Sequence, residues 1–171
     1  INIIDLLEIN GKTVSSTEIR KFFEKGDIDN IKLFMGRYPS ISGKVVRGFN
    51  RGSRIGFPTA NIELDENYMI PKKGVYFARI KIRGYRKALS CIVNIGNNPT
   101  FGLRELLLEA HIIGFGEEIY GRLINVELIR FHRQELKFAN KNELIKQINS
   151  DIEEGIEFFK AKNYNVIWKD A

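Results

Sequence analysis

Cysteine and histidine are scarce in this 171-residue chain, and each shortage closes off a class of answers. The one cysteine, Cys91, cannot form an internal disulfide and has no Cys or His neighbour at metal-ligand spacing. Its place in the apolar run "ALSCIVNIG" points to a buried structural thiol. Two histidines, His111 and His132, are too few for a His-based metal site. No apolar run approaches the ~18 residues of a membrane span, and no charged-then-apolar signal opens the chain. No membrane partner and a cytoplasmic location are therefore expected. Internal repeats and low-complexity segments are missing too.

What is present fits a soluble globular protein with enough residues for one good core: 43% hydrophobic and 28% charged. A net charge of +6 suits an anionic partner, whether nucleic acid, anionic lipid or nucleotide phosphate. A solvated basic surface explains the charge equally well.

The hydrophobic period divides the chain. Residues 15–35 read as helix, with Ser15 or Ser16 as N-cap and Glu18 placed for a capping box. Gly26-Asp27 breaks it, and a second short helix follows with Ile28, Ile31 and Phe34 as its apolar stripe. From Ser40 the period becomes alternating. "ISGKVVRGF", "LLLEAHIIGF" and "LINVELIRFH" read as strands, and "GVYFARIKIRGYRKALSCIVNIG" as two more joined around Arg83-Gly84. Asn140 can cap a last helix, in which Ile145, Ile148, Ile152, Ile156 and Phe159 form a stripe that should pack on the sheet. Short Gly-rich connections imply an antiparallel sheet or small barrel. The expected order is a helical N-terminal piece (1–38), a β-barrel (40–138) and a C-terminal helix.

The stretch "GFNRGSRIGFPTAN" (48–61) carries the most chemistry. Gly48, Gly52 and Gly56 permit positive φ and close backbone approach. Arg51 and Arg54 offer forked donors for phosphate oxygens. Pro58 stiffens the backbone before Thr59, and Thr59 and Asn61 share one face of an extended segment. Both are hard oxygen ligands of the kind Mg²⁺ accepts beside substrate phosphates. A basic hairpin loop is the alternative. The segment matches neither the Walker pattern nor the dinucleotide glycine fingerprint, both of which open a helix.

Glu109 is a second candidate. Alternation places Leu107, Glu109, His111 and Ile113 on one strand face and Leu106, Leu108, Ala110 and Ile112 on the other. Burial would raise the Glu109 pKa towards the range of a general base. An ordinary sheet carboxylate paired with Arg or Lys is the alternative, and His111 reads as a structural histidine. "NIGNNPTF" (94–101) is turn chemistry. In "RFHRQELKFANKNEL", Arg130, Arg133 and Lys137 alternate with aromatics, which suits stacking on a base or flavin ring, or an ordinary basic edge.

Together these segments resemble the riboflavin kinase domain, and the whole chain resembles the C-terminal part of bacterial bifunctional riboflavin kinase/FAD synthetases. The resemblance runs from about Gly36 to about Gly155. It is carried by Gly48, Arg51-Gly52, Arg54, "GFPTAN", "NIG", "NPTF", Glu109, His111, "YG" (120–121), Arg133, Glu135, Phe138, "QI" (147–148) and Asp151. "SSTEIR" (15–20) resembles the close of the nucleotidyltransferase domain of those enzymes. The His-x-Gly-His motif of that domain is absent from the sequence, so FAD synthesis is expected only with an upstream domain.

The resemblance implies a mainly β fold: a six-stranded antiparallel Greek-key barrel with a C-terminal helix and a short helical N-terminal segment. It divides the chain into 1–38, the end of the nucleotidyltransferase domain plus linker, and 39–171, the kinase domain. It implies transfer of the ATP γ-phosphate to the 5′-hydroxyl of riboflavin, giving FMN, with Glu109 as base and Mg²⁺ held by Thr59 and Asn61. Gly48, Arg51, Gly52, Arg54, Gly56, Pro58, Thr59 and Asn61 would face ATP; Asn94, Glu109, Arg133 and Phe138 would face the flavin. The partners would be ATP and riboflavin or FMN, not nucleic acid. A basic OB-like barrel binding single-stranded nucleic acid is the competing reading.

Overall fold

The computed structural model describes residues 6–48, 52–64, 68–97 and 106–164. A short hairpin of β1 (Glu8–Ile9) and β2 (Lys12–Thr13) comes first. It turns at Asn10 (φ 52°) and Gly11 (φ 71°), the Asn-Gly pair that a two-residue turn with both φ values positive selects. The N-terminal piece is thus not wholly helical. The expected caps are in place for α1 (Ser16–Lys25), where the Ser15 hydroxyl accepts from the Glu18 N–H at 3.3 Å. Asp27 caps α2 (Ile28–Met35) in the same way.

Six strands then close into an antiparallel barrel: β3 (Ser40–Val46), β4 (Ala60–Leu64), β5 (Gly74–Ile82), β6 (Leu89–Asn97), β7 (Leu106–Ile112) and β8 (Leu123–Arg133). The order around the barrel is β3-β4-β7-β6-β5-β8. Strands β5, β6 and β7 form a meander and β8 returns beside β5, which is the Greek-key arrangement. Closure leaves no free sheet edge.

Alternation fills the barrel. Tyr76, Ala78 and Ile80 of β5, Cys91, Val93 and Ile95 of β6, Leu108, Ala110 and Ile112 of β7, and Ile124, Val126 and Leu128 of β8 are all buried. The Cys91 thiol donates to the Ala78 carbonyl at 3.4 Å, and burial pushes its pKa well up, as suits a structural thiol. Phe22, Phe23, Ile28, Ile31 and Phe34 of the two N-terminal helices belong to this same cluster. They meet the barrel at Lys72, whose N–H donates to the Phe23 carbonyl at 2.9 Å.

The last helix, α3 (Lys141–Ala161), packs on the outside of the barrel. Asn140 and Glu143 form a reciprocal cap, N–H of Glu143 to Asn140 Oδ1 at 3.0 Å and Asn140 Nδ2 to Glu143 Oε1 at 3.0 Å. Phe159, with Ile152 and Ile156, closes a second cluster against Val75, Phe77, Ile92 and Ile113. The expected stripe therefore packs as one face only in its C-terminal half. Leu144, Ile148 and Ile152 instead wall a cavity between helix and barrel.

Candidate active site

Ladder register sets out the site. Asn61 of β4 lies opposite Glu109 of β7, Glu109 opposite Asn94 of β6, Asn94 opposite Val75 of β5, and Val75 opposite Arg133 of β8. Directly opposed residues in antiparallel strands share a face. Because Leu108 and Ala110 point into the barrel, this row points out of it. Five residues far apart in the chain thus become one transverse line under the N-terminal half of α3.

Over that line lies a cavity of about 380 Å³, within the range of small-molecule sites. Asn94, Glu109, Arg133 and Phe138, the four residues expected at the flavin, all line it, together with Gly52 and Thr59. Leu136, Leu144, Ile148 and Ile152 make its walls largely apolar. Glu135 reaches in above Gly96, where a Cβ would overlap its carboxylate.

Arg133 is held from behind. Its Nε donates to Asp151 Oδ1 at 2.8 Å and its NH2 to Oδ2 at 2.6 Å, while NH1 donates to the Gln134 carbonyl at 2.9 Å. Asp151, on α3 and only 4% exposed, also accepts from Gln147 Nε2 at 2.9 Å. His132 Nε2 lies 3.3 Å from Asp151 Oδ1 without making a hydrogen bond, its ring stacked on Phe77 at 4.4 Å.

His111 Nδ1 donates to the Pro58 carbonyl at 2.9 Å, since a carbonyl can only accept. Burial draws its pKa below the ordinary 6.5, and this hydrogen bond partly offsets the shift. His111 thus acts as a neutral strut that holds β7 to the residue before Thr59.

The described part of the glycine-rich stretch after Arg51 is a defined turn. Ser53–Ile55 is a 3-10 turn, with the Ile55 and Phe57 N–H groups both donating to the Gly52 carbonyl, at 3.0 and 2.9 Å. Of the three glycines expected to need positive φ, Gly56 uses it (φ 92°), whereas Gly52 is right-handed helical at φ −61°. Gly48 is needed for space, since a Cβ there would overlap the Asn61 amide. Asn61 is 8% exposed and lies under Gly48 rather than on a cavity wall. Arg54 is exposed on the turn. Arg51 and the "NPTF" segment (98–101) fall outside the described residues.

A second, smaller cavity of about 190 Å³ opens beside the first. Its lining includes Pro58, Ala60, Ala110, Phe115, Glu117 and Tyr120, and the two cavities share Thr59 alone. Sequence reasoning did not single out residues 115–119 for this cavity, and it named Tyr120 only within the "YG" that carries the resemblance. Their signal was the "FGEEIY" run, too long and too aromatic for a tight turn between β7 and β8. Asp151 was also missed as a partner of Arg133, because an ion pair across 18 positions leaves no local pattern. Among the described residues no group of three or more His, Cys, Asp or Glu side chains could hold a metal. A divalent ion here would depend on hydroxyl and amide oxygens plus substrate phosphates.

Comparison with known proteins shows the family. The riboflavin kinase (Flavokinase) family model matches residues 35–159. The bifunctional riboflavin kinase/FMN adenylyltransferase of Bacillus subtilis is 34% identical over 159 residues, covering 91% of this chain and 50% of that protein. Its namesake in Escherichia coli K12 is 38% identical over 150 residues, covering 87% and 47%. The chain spans about half the length of the curated relatives it matches. Among solved structures, a Streptococcus pneumoniae chain described as a macrolide-efflux protein superposes with a TM-score of 0.81 at 31% identity, over 88% of this chain and 49% of that one. Riboflavin kinase from Trypanosoma brucei shares the fold with a TM-score of 0.50 at 23% identity, over 71% and 79%. The chain belongs to the riboflavin kinase family, a family of ATP-dependent kinases.

Proposed function

We propose that this chain transfers the γ-phosphate of ATP to the 5′-hydroxyl of riboflavin, giving FMN. The observation that carries the reading is the outward row of Asn61, Glu109, Asn94 and Arg133, which ends beside the one residue common to both cavities, Thr59. The larger, apolar cavity suits the flavin ring, with Asn94 and Arg133 as its polar contacts. The smaller cavity suits the nucleotide, reached from the other side of Thr59.

Phosphoryl transfer asks for positioning, charge stabilisation and a group to orient the nucleophile. Glu109, in the floor of the first cavity, accepts the proton of the ribityl hydroxyl. Thr59 and Asn61 would hold Mg²⁺ through their oxygens, and the donor set fits: two hard oxygens with glycines packed against them, Gly52 at Thr59 Oγ1 and Gly48 at Asn61. A Mg²⁺ ion held there would supply positive charge to offset that of the phosphates. The turn at 52–56 and Gly48 keep side chains out of the space where phosphates approach. Neutral His111, tied to the Pro58 carbonyl, fixes the backbone from which Thr59 projects.

Residues 1–38 are read as the end of a nucleotidyltransferase domain plus linker, and a longer protein would also adenylate FMN to FAD. The curated relatives, twice as long and named for both activities, support that reading. A nucleic-acid platform is less well supported, because Arg133 is bound by Asp151 and Phe131 packs on Tyr76 at 5.1 Å. Incubation with riboflavin and Mg-ATP, followed by separation of flavins, tests the assignment. FMN without FAD is expected; unchanged riboflavin would sink it.

A further inference from the structure

Among the described residues, the first cavity is lined by three carboxylates, Glu109, Glu135 and Asp151, and one guanidinium, Arg133, a formal charge of −2. Asp151 grips Arg133 with two hydrogen bonds, and Gln147 completes the carboxylate's shell from one turn earlier on α3. Stability alone is a weak reason for such a pair, since buried ion pairs are often no better than packed apolar groups of similar volume. The pair instead neutralises the only fixed positive charge among the described residues of the cavity lining.

We propose that Asp151 is a specificity-determining residue: by neutralising Arg133 it lets the cavity hold uncharged riboflavin and disfavour the flavin once it carries a phosphate. The inference rests on the kinase reading above. Riboflavin has no formal charge to lose by entering an acidic cavity. FMN without metal or nucleotide brings a dianionic phosphate to the end of the ribityl chain, beside Glu109, which is a charged carboxylate again once the proton it took from the hydroxyl has passed to solvent. Arg133 stands three strands from Glu109 in the row, about 14 Å of sheet. A free guanidinium at that range would still offset the repulsion, and Asp151 prevents it. The product is thereby loosened by the transfer that made it, with no conformational change required.

The test is binding of riboflavin and of FMN to the chain, each alone, without Mg²⁺ or nucleotide. In Asp151→Asn the Arg133 charge is uncompensated. FMN should bind roughly ten- to fiftyfold more tightly, the upper end being one added charge acting on a dianion at that range and an effective dielectric near 20 before salt screening, while riboflavin stays within about twofold. Arg133→Gln/Asp151→Asn, which leaves neither charge, should return the FMN-to-riboflavin affinity ratio to the wild-type value. Equal changes for both flavins would mark a merely structural role and overturn the proposal, as would no change for either, or a gain kept by the double variant. If Asp151→Asn does not fold, the double variant decides alone. An FMN-to-riboflavin affinity ratio like that of the wild type supports an electrically silent pair, and a markedly different ratio overturns it. Wild-type protein that binds no riboflavin would instead defeat the kinase reading, and this inference with it.

Discussion

Glu109 owes its place to its neighbours in β7. Leu108 and Ala110 enter the barrel, so the residue between them must face out, and α3 roofs that face into a cavity. The face was legible from alternation, but the roof was not, because nothing local in "LLLEAHI" reports a helix from 40 residues downstream. Likewise the pairing of Thr59 with Asn61 could be read from spacing, yet the burial of Asn61 under Gly48 could not. Glu109→Gln keeps the shape and the hydrogen-bonding reach while removing the proton acceptor. Mg-ATP binding should persist while turnover falls by ~10²–10⁴-fold, the usual worth of a general base. Rapid-quench or steady-state FMN formation checks this, and near-normal rates would remove Glu109 from the role.

At the scale of elements, α3 is a single helix with two jobs. Its capped N-terminal half stands off the barrel and walls the cavity; its C-terminal half is packed through Phe159. The apolar stripe announced the helix and the contact, but one period cannot say where a helix leaves the sheet. Gly155 sits in the packed half, and a Cβ there would lie 3.4 Å from Phe77 and 3.5 Å from Ile92, ordinary contact distances. Glycine inside a helix is about 0.5–1 kcal/mol less favourable than alanine. Gly155→Ala should therefore stabilise the protein by about that amount in urea unfolding. A loss of stability would mean that helix and barrel have no room to accept a methyl group.

For the whole molecule, strand count, antiparallel pairing and the closing helix follow from turn signals and alternation, which act over short distances. How the N-terminal piece attaches does not. In sequence it reads as the end of another domain plus linker, yet Phe22, Phe23, Ile31 and Phe34 share the barrel's core cluster. Each such side chain, if fully buried, contributes roughly 1.5–3 kcal/mol, and a domain's total stability is only about 5–15 kcal/mol. Removing residues 1–36 should leave a protein that is insoluble or melts at least 10 °C lower, by calorimetry or circular dichroism, a shift of ~3 kcal/mol at this size. An unaltered melting temperature would show the helices to be dispensable.

The transverse row also governs how the active site can be altered. Its members are chosen by the parity of position along each strand, not by nearness in sequence. A substitution at Glu109 therefore changes one functional group and leaves its four companions where they are. One residue inserted within β7 ahead of Glu109 would act like a frameshift in the sheet. Leu108 and Ala110 would turn to the cavity, and Glu109 would enter the barrel interior as a charge without water. Lengthening a connecting loop leaves parity untouched. Such a site can vary freely in the lengths between its strands and hardly at all in the lengths within them.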